Sequence, residues 1–358
     1  MRRDRHRYAE RVDLADRVKA LALSVGFDVA GVARAEPMAE TRSLHSWLAR
    51  GFAGEMHYIG RRAEERVDPR RVLEGARSVV ALGLVYDPGE RQDSGPGAFR
   101  VARYAGGEDY HDVLIDRVRA LEAGLEPLAG CAVRTRGYVD TGPVLERAFA
   151  ARAGLGWIGK NSCVIHPALG SYLFLAVVLT DLELEPDTPT PDHCGSCRAC
   201  LDACPTDAFA EPYVLDATRC ISYTTIEARG PVPEALRAGQ GDWGFGCDIC
   251  QEVCPWNTRG RRTVPPDSAG LRQQLAPRPE WLAPTLRWVL GLEEEDWRVA
   301  TRGTALRRAK YRGLMRNALV VAGNSGDASL VDLVRRRAGS DDPLIAEHAQ
   351  WALERLTS

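Results

Sequence analysis

Eight of the ten cysteines in this chain fall between positions 194 and 254, in a spacing that leaves little choice about what that segment becomes. Cys194-x2-Cys197-x2-Cys200-x3-Cys204-Pro205 is the run of a bacterial two-cluster ferredoxin, in which three thiolates surround one 4Fe-4S cube and the fourth is carried to another. An altered copy follows: Cys220, a long insertion, then Cys247-x2-Cys250-x3-Cys254-Pro255. The exchange rule assigns Cys194, Cys197, Cys200 and Cys254 to one cluster, and Cys204, Cys220, Cys247 and Cys250 to the other. Zinc also takes four thiolates from CxxC pairs. The triple CxxCxxC closed by Cys-Pro, with a related copy behind it, favours iron. Cys131 and Cys163 stand outside the pattern and read as small buried apolar residues.

The surroundings suit a reducing compartment. The basic N-terminus is followed by Val12, Ala15, Val18, Leu21 and Ala22, spaced among charges. That pattern is an amphipathic helix, not the unbroken apolar core of an export signal, so a cytoplasmic protein is expected. No apolar run approaches the roughly 20 residues of a membrane span. A formal net charge of −2 gives no global argument for nucleic acid, so any such partner has to be read from local patches.

The fold class expected is α+β in three parts. Residues 1–186 form a mixed α/β unit, with helical periodicity over 14–25, 44–48 and 110–125, strands over 78–86, 132–139 and 171–180, and a further helix over 143–156. Three prolines between 185 and 192 mark a linker. Residues 187–260 form the ferredoxin-like unit, and 261–358 an all-helical unit whose last helices, over 311–322, 328–337 and 344–356, look like a HEAT-type stacked pair.

Two clusters alone make an electron carrier, which needs far fewer than 358 residues. The large N-terminal unit implies a catalytic centre fed by the clusters. Its histidines form no metal-binding pair at helical spacing, so an organic or organometallic cofactor is the natural inference.

At this point the residues resemble a known family. Tyr138-Val139-Asp140-Thr141-Gly142-Pro143, Gly159-Lys160-Asn161, Gly170-Ser171-Tyr172, CGSCRACLDACPTDA, Arg219-Cys220-Ile221-Ser222-Tyr223 and the string from Gly246 to Asn257 look like those of epoxyqueuosine reductase. The resemblance covers nearly the whole chain. It implies a cobalamin-dependent tRNA-modifying enzyme that reduces an epoxide to an alkene, with Asp140 as general acid. Taken alone, Asp140 before Gly142-Pro143 is simply a helix N-cap. As a general acid near neutral pH it needs a carboxyl raised by burial against the corrin. The cobalamin contacts implied are Arg66, Ala102, Arg103, Asp140, Lys160, Asn161, Val164, Leu175, Ser222, Cys247 and Asp248. Arg66 and Arg103 also read as ordinary surface charges.

The stretch 302–316 holds Arg302, Arg307, Arg308, Lys310, Arg312 and Arg316 with no acid, beside Tyr311, and Arg335 to Arg337 add a second cluster. Such a stripe suits an RNA backbone, with the tyrosine placed to stack on a base; the plain alternative is a solvated helical face. Arg307, Arg308, Lys310 and Arg312 are the tRNA contacts expected. The partners implied are a tRNA carrying epoxyqueuosine and a low-potential electron donor, with the chain a monomer. The competing functions are a cobalamin reductive dehalogenase, disfavoured by the missing export signal, and a non-catalytic two-cluster carrier.

Overall fold

A computed structural model of the chain describes residues 2–38, 41–87, 97–258 and 262–358. The boundary expected at 260/261 lies outside the described residues.

The sheet that carries the site consists of β1 (Val29–Arg34), β2 (Ser78–Val85), β3 (Thr135–Tyr138) and β4 (Leu173–Thr180), in the order β1-β2-β4-β3 with every pair antiparallel. Ser78 faces Thr180, and Gly137 faces Val178. Successive residues alternate between two apolar layers. Val80, Leu82 and Val178 turn to helices α1 (Arg2–Ser24) and α2 (Tyr110–Ala129), meeting Val18, Leu114, Val118 and Leu121. Val79, Ala81, Val177 and Leu179 turn to the other side, where α3 (Glu146–Arg152) supplies Phe149 and Ala150. Burial on both faces explains why β2 reads as an unbroken apolar run.

Strand β1 escapes the sequence reading because Ala30 and Gly31 weaken its β signal. Gly31 is required: a side chain there would collide with the carbonyl of Ala153. The proline-rich linker has no regular structure, yet it is strapped to β1. Asp187 accepts from the amide of Val32 at 2.8 Å and from Lys19 at 2.8 Å, and its own amide returns a bond to Val32.

The C-terminal helices α4 (Lys310–Ser325), α5 (Val331–Ala338) and α6 (Pro343–Thr357) build a second core around Leu314, Leu319, Val334, Ile345 and Ala349. That core is shared. Phe99 and Ala105 from the first region and Phe245 from the insertion between Cys220 and Cys247 are buried in it. The segment Trp243–Phe245 pairs in parallel with Arg100–Val101. Leu271 and Leu275, conversely, cross back into the first core. Among the described residues no helix is long and apolar enough to cross a membrane.

Candidate active site and cluster segment

Each ferredoxin-type run winds into one short helical turn, Ala199–Asp202 and Ile249–Glu252, which brings distant cysteines together. Cys194, Cys197, Cys200 and Cys254 line one cavity of about 230 Å³ with Lys160 and Trp256. This is the first quartet of the exchanged assignment. Cys204, Cys220, Cys247 and Cys250 form the other group: Cys247 feels Cys220 and Cys204, and Cys250 feels Cys220 and Cys247.

Two cysteine expectations change. Cys131 is exposed, at the end of α2, and so is not a core residue. Cys163 is half-buried, and its thiol lies beside that of Cys250, against the second quartet. Its position one residue before Val164 gave no sign of this.

Lys160 and Asn161 also have other tasks than the resemblance implies. The Lys160 ammonium donates to the carbonyls of Gly195 at 2.6 Å and Cys197 at 2.8 Å, clamping the first cysteine loop to the sheet region. Asn161 is buried, donating to the carbonyl of Cys250 and accepting from the amide of Cys163.

Asp140 lies just past β3, at the centre of a three-residue turn closed by the amide of Thr141 on the carbonyl of Val139. Its φ of 57° is one that L-residues adopt rarely, and such strain costs about 1–3 kcal/mol. Four groups hold the turn. Tyr110 donates to Oδ2 of Asp140 at 2.9 Å, and Nε2 of His111 lies 3.4 Å from the same oxygen. Glu146 accepts the Asp140 amide at 2.7 Å, and Arg66 donates to the carbonyl of Gly142 at 3.1 Å. Asp109, the N-cap of α2, holds the other ring nitrogen of His111 at 2.7 Å. Tyr110 is fixed in turn by stacking on Phe174 of β4, ring centroids 4.3 Å apart.

The electrostatics of the corner are set by the neighbours of Asp140. Burial pushes the Asp140 carboxyl up, but hydrogen bonds from His111 and Tyr110 and the charges of His111 and Arg147 outweigh it, leaving it below the usual range. The carboxylate, 64 % exposed, opens outward from a crowded inner side. Protons reside instead on its neighbours. His111, lowered by burial but raised more by Asp109 and Asp140, stands at about 9. Glu146, raised by burial and by the charge of Asp140, stands at about 8. The sequence reading missed both residues; the Asp-Tyr-His order at the start of α2 was the available signal.

The remaining residues implied as cofactor contacts divide between two walls. Val164 and Leu175 pack with Tyr138 and Val144 on the Asp140 side. Ala102, Ile221 beside Ser222, and Cys247 pack together on the side of the second quartet. Tyr104 lies within electrostatic reach of both Asp140 and Asp248, linking the two sides. Asp248 is buried and accepts from the amide of Arg103 at 2.8 Å. The Arg103 guanidinium is no surface charge: it pairs with Asp87 at 3.2 Å and lies over the ring of Tyr172.

The basic stripe keeps only part of its length. Arg307, Arg308, Lys310 and Arg312 are exposed. Arg308 forks onto Glu227 at 2.8 and 3.0 Å, and Arg312 pairs with Asp342 at 2.6 Å. Arg316 points inward, 1 % exposed, donating to the carbonyls of Thr224, Ala228 and Gly230. Tyr311 is half-buried, its hydroxyl donating to the carbonyl of Leu292 and accepting from Arg337.

The family model described as "4Fe-4S double cluster binding domain" matches residues 193–257, and that described as "Epoxyqueuosine reductase QueG, DUF1730" matches residues 66–141. An epoxyqueuosine reductase of Gloeobacter violaceus is 42 % identical over 318 residues, covering 88 % of this chain and 97 % of its own. That of Escherichia coli is 36 % identical over 345 residues, covering 95 % and 89 %. A crystal structure of epoxyqueuosine reductase with an epoxyqueuosine-modified tRNA-Tyr stem loop superposes with a TM-score of 0.87 at 32 % identity, covering 97 % of this chain and 91 % of that one. A Bacillus subtilis structure, described as having its aspartate catalytic loop swung out of the active site, superposes with a TM-score of 0.86 at 31 % identity, covering 96 % and 90 %. These relatives select the tRNA-modifying reading over the dehalogenase and the simple carrier: the chain belongs to the epoxyqueuosine reductase family, oxidoreductases of queuosine biosynthesis.

Proposed function

We propose that this chain removes the epoxide oxygen of epoxyqueuosine in tRNA as water, leaving the alkene of queuosine, with cobalamin and two 4Fe-4S clusters as its redox groups. Breaking both C–O bonds and forming the C=C bond consumes two electrons and two protons. The observation that carries the reading is the corner at Asp140, where one carboxylate oxygen meets both Tyr110 and His111.

His111 Nε2 passes its proton to Oδ2 of Asp140, which delivers it to the epoxide oxygen; the imidazole, held in place by Asp109, is reprotonated from solvent and supplies the second proton by the same route. Tyr110 keeps that oxygen oriented. Because the resting carboxylate is held ionised, the proton store is His111 rather than Asp140 itself.

Cobalamin, when bound, supplies a strong low-potential reductant. The residues fit a broad flat group with a polar rim. Ala102, Val164 and Leu175 offer small or apolar contacts, and the buried Nε of Arg66 has no hydrogen-bond partner among the described residues. Arg66, Ala102, Arg103, Val164, Leu175, Ser222, Cys247 and Asp248 would hold it, with Lys160 and Asn161 supporting it through the cysteine loops. Cys204, Cys220, Cys247 and Cys250 ligate the inner cluster, beside Ala102 and Asp248. Cys194, Cys197, Cys200 and Cys254 ligate the outer one, which an external low-potential donor reaches at the exposed Cys197.

The division into 1–186, 187–260 and a HEAT-like, tRNA-binding 261–358 belongs to the same proposal. So do the contacts of Arg307, Arg308, Lys310 and Arg312 with tRNA, a cytoplasmic location and a monomeric state. The relative solved with a modified stem loop supports the RNA substrate. The test is anaerobic incubation of the reconstituted protein with cobalamin, a reductant and RNA bearing epoxyqueuosine, then nucleoside mass analysis. Loss of one oxygen atom is expected; an unchanged nucleoside overturns the proposal.

A further inference from the structure

Tyr58, on the short helix His57–Arg61, is 39 % exposed. The guanidinium of Arg308 lies 5.8 Å from its ring centroid, within cation–π range. That arginine is itself held in place by Glu227, onto which it forks at 2.8 and 3.0 Å. Asp140, Arg66 and Glu227 also lie within electrostatic reach of the same phenol. Tyr58 is therefore within reach of both the acid corner and the basic stripe.

The segment that presents it is fixed in advance. The amide of Glu55 donates to the hydroxyl of Tyr223 at 2.7 Å, and the Glu55 carboxylate accepts from the amide of Arg229 at 2.9 Å. Gly54, at a φ of 53°, lies close against the Tyr223 ring, where any side chain would collide. An exposed aromatic on an immobilised loop loses little freedom when a flat ligand settles on it.

In a modified nucleotide the base separates the reacting ring from the sugar-phosphate chain. If the reacting ring lies at Asp140 and the phosphates lie along Arg307 to Arg312, the base between them passes Tyr58. We propose that Tyr58, backed by Arg308, is the stacking platform for the purine-like base of the substrate nucleotide, at the mouth of the site. The inference rests on the tRNA reading above and adds a base-binding subsite to it. Stacking on an aromatic face suits a base splayed out of a single-stranded loop.

The test is a binding cycle with the full, reconstituted chain and two RNA stem loops, one carrying guanine and one an abasic sugar at the modified position. The unaltered protein is expected to prefer the base-bearing loop by roughly 5- to 150-fold, the range of one base–aromatic stack. Tyr58→Ala is expected to bind both loops alike, and Tyr58→Phe to keep the preference. Iron content and corrin retention, measured on each variant, report its folding independently of RNA. A base preference that survives in Tyr58→Ala overturns the inference, and so does an unaltered protein that binds both loops equally. Failure of the unaltered protein to bind either loop overturns the tRNA reading, and the inference with it.

Discussion

Glu146 accepts the backbone N–H of Asp140 at 2.7 Å, so the turn bearing one carboxyl hangs from another. The two are driven apart in acidity. Asp140 is held low by His111 and Tyr110, whereas burial and the Asp140 charge push Glu146 up to about 8. Pairs separated in this way mark acid and base roles.

For Glu146 the folded value lies above the ordinary 4.5, so its favourable contribution is complete below about pH 4.5 and is lost as pH rises through about 8. Ionisation there sets a second negative charge against Asp140. Single-turnover rates are expected to fall above about pH 8. Glu146→Gln keeps an acceptor for the Asp140 amide and does not ionise, so its alkaline limb should move upward. Glu146→Ala should slow turnover roughly 10- to 100-fold at every pH through misplacement of the turn. An alkaline limb unmoved in Glu146→Gln would assign that limb to another group.

His111 is raised from 6.5 to about 9, so its ion pairs with Asp109 and Asp140 contribute fully below about pH 6.5 and are lost as pH rises through about 9. An imidazole titration followed by NMR should show this midpoint in the intact protein and a lower one in Asp140→Asn. His111→Gln and Asp140→Asn should each reduce the chemical step by about 10²–10⁴-fold. A normal rate in His111→Gln would remove the imidazole from the proton path.

Cys254→Ser should remove about half of the iron and abolish one of two paramagnetic signals, leaving the other. Cys131→Ser should change neither iron content nor stability, since the thiol is exposed. Cys163→Ser should retain both clusters and shift the signal of the one bound by Cys250, its neighbour. Iron analysis and EPR of reduced samples decide between these outcomes.

Within the basic stretch, position and not charge should decide the outcome. Removing charge at Arg307 and Lys310 should weaken stem-loop binding and lower its salt slope by about 1 per lost phosphate contact. Arg316→Ala should act on folding, by about 1–3 kcal/mol, because it leaves three buried carbonyls without their donor. Thermal unfolding separates the two effects.

Elements with strong periodicity were legible in advance. Strands β2 and β4 and helix α2 lie within a few residues of their expected bounds, because their apolar residues meet layers on both sides. The cluster-binding segment was legible for a different reason: cluster geometry fixes ligand spacing in the sequence itself. What stayed hidden depends on contacts between distant segments. Lys160 reaches the carbonyls of residues 195 and 197, and Arg316 turns into the protein because open carbonyls at 224, 228 and 230 await it. Nothing in either residue's neighbours announces that partner. The donors that hold the Asp140 carboxylate, Tyr110 and His111, were hidden for the same cause, since they come from another helix.

The insertion between Cys220 and Cys247 sends Phe245 into the C-terminal core and pairs its strand with Arg100–Val101. The iron-binding segment is therefore not a cassette. Replacing it wholesale with a foreign ferredoxin would leave a hole in a core more than fifty residues downstream in sequence. New electron donors or new cluster potentials must therefore be reached by single substitutions around the two quartets, in a lineage that keeps its wiring and retunes it in place.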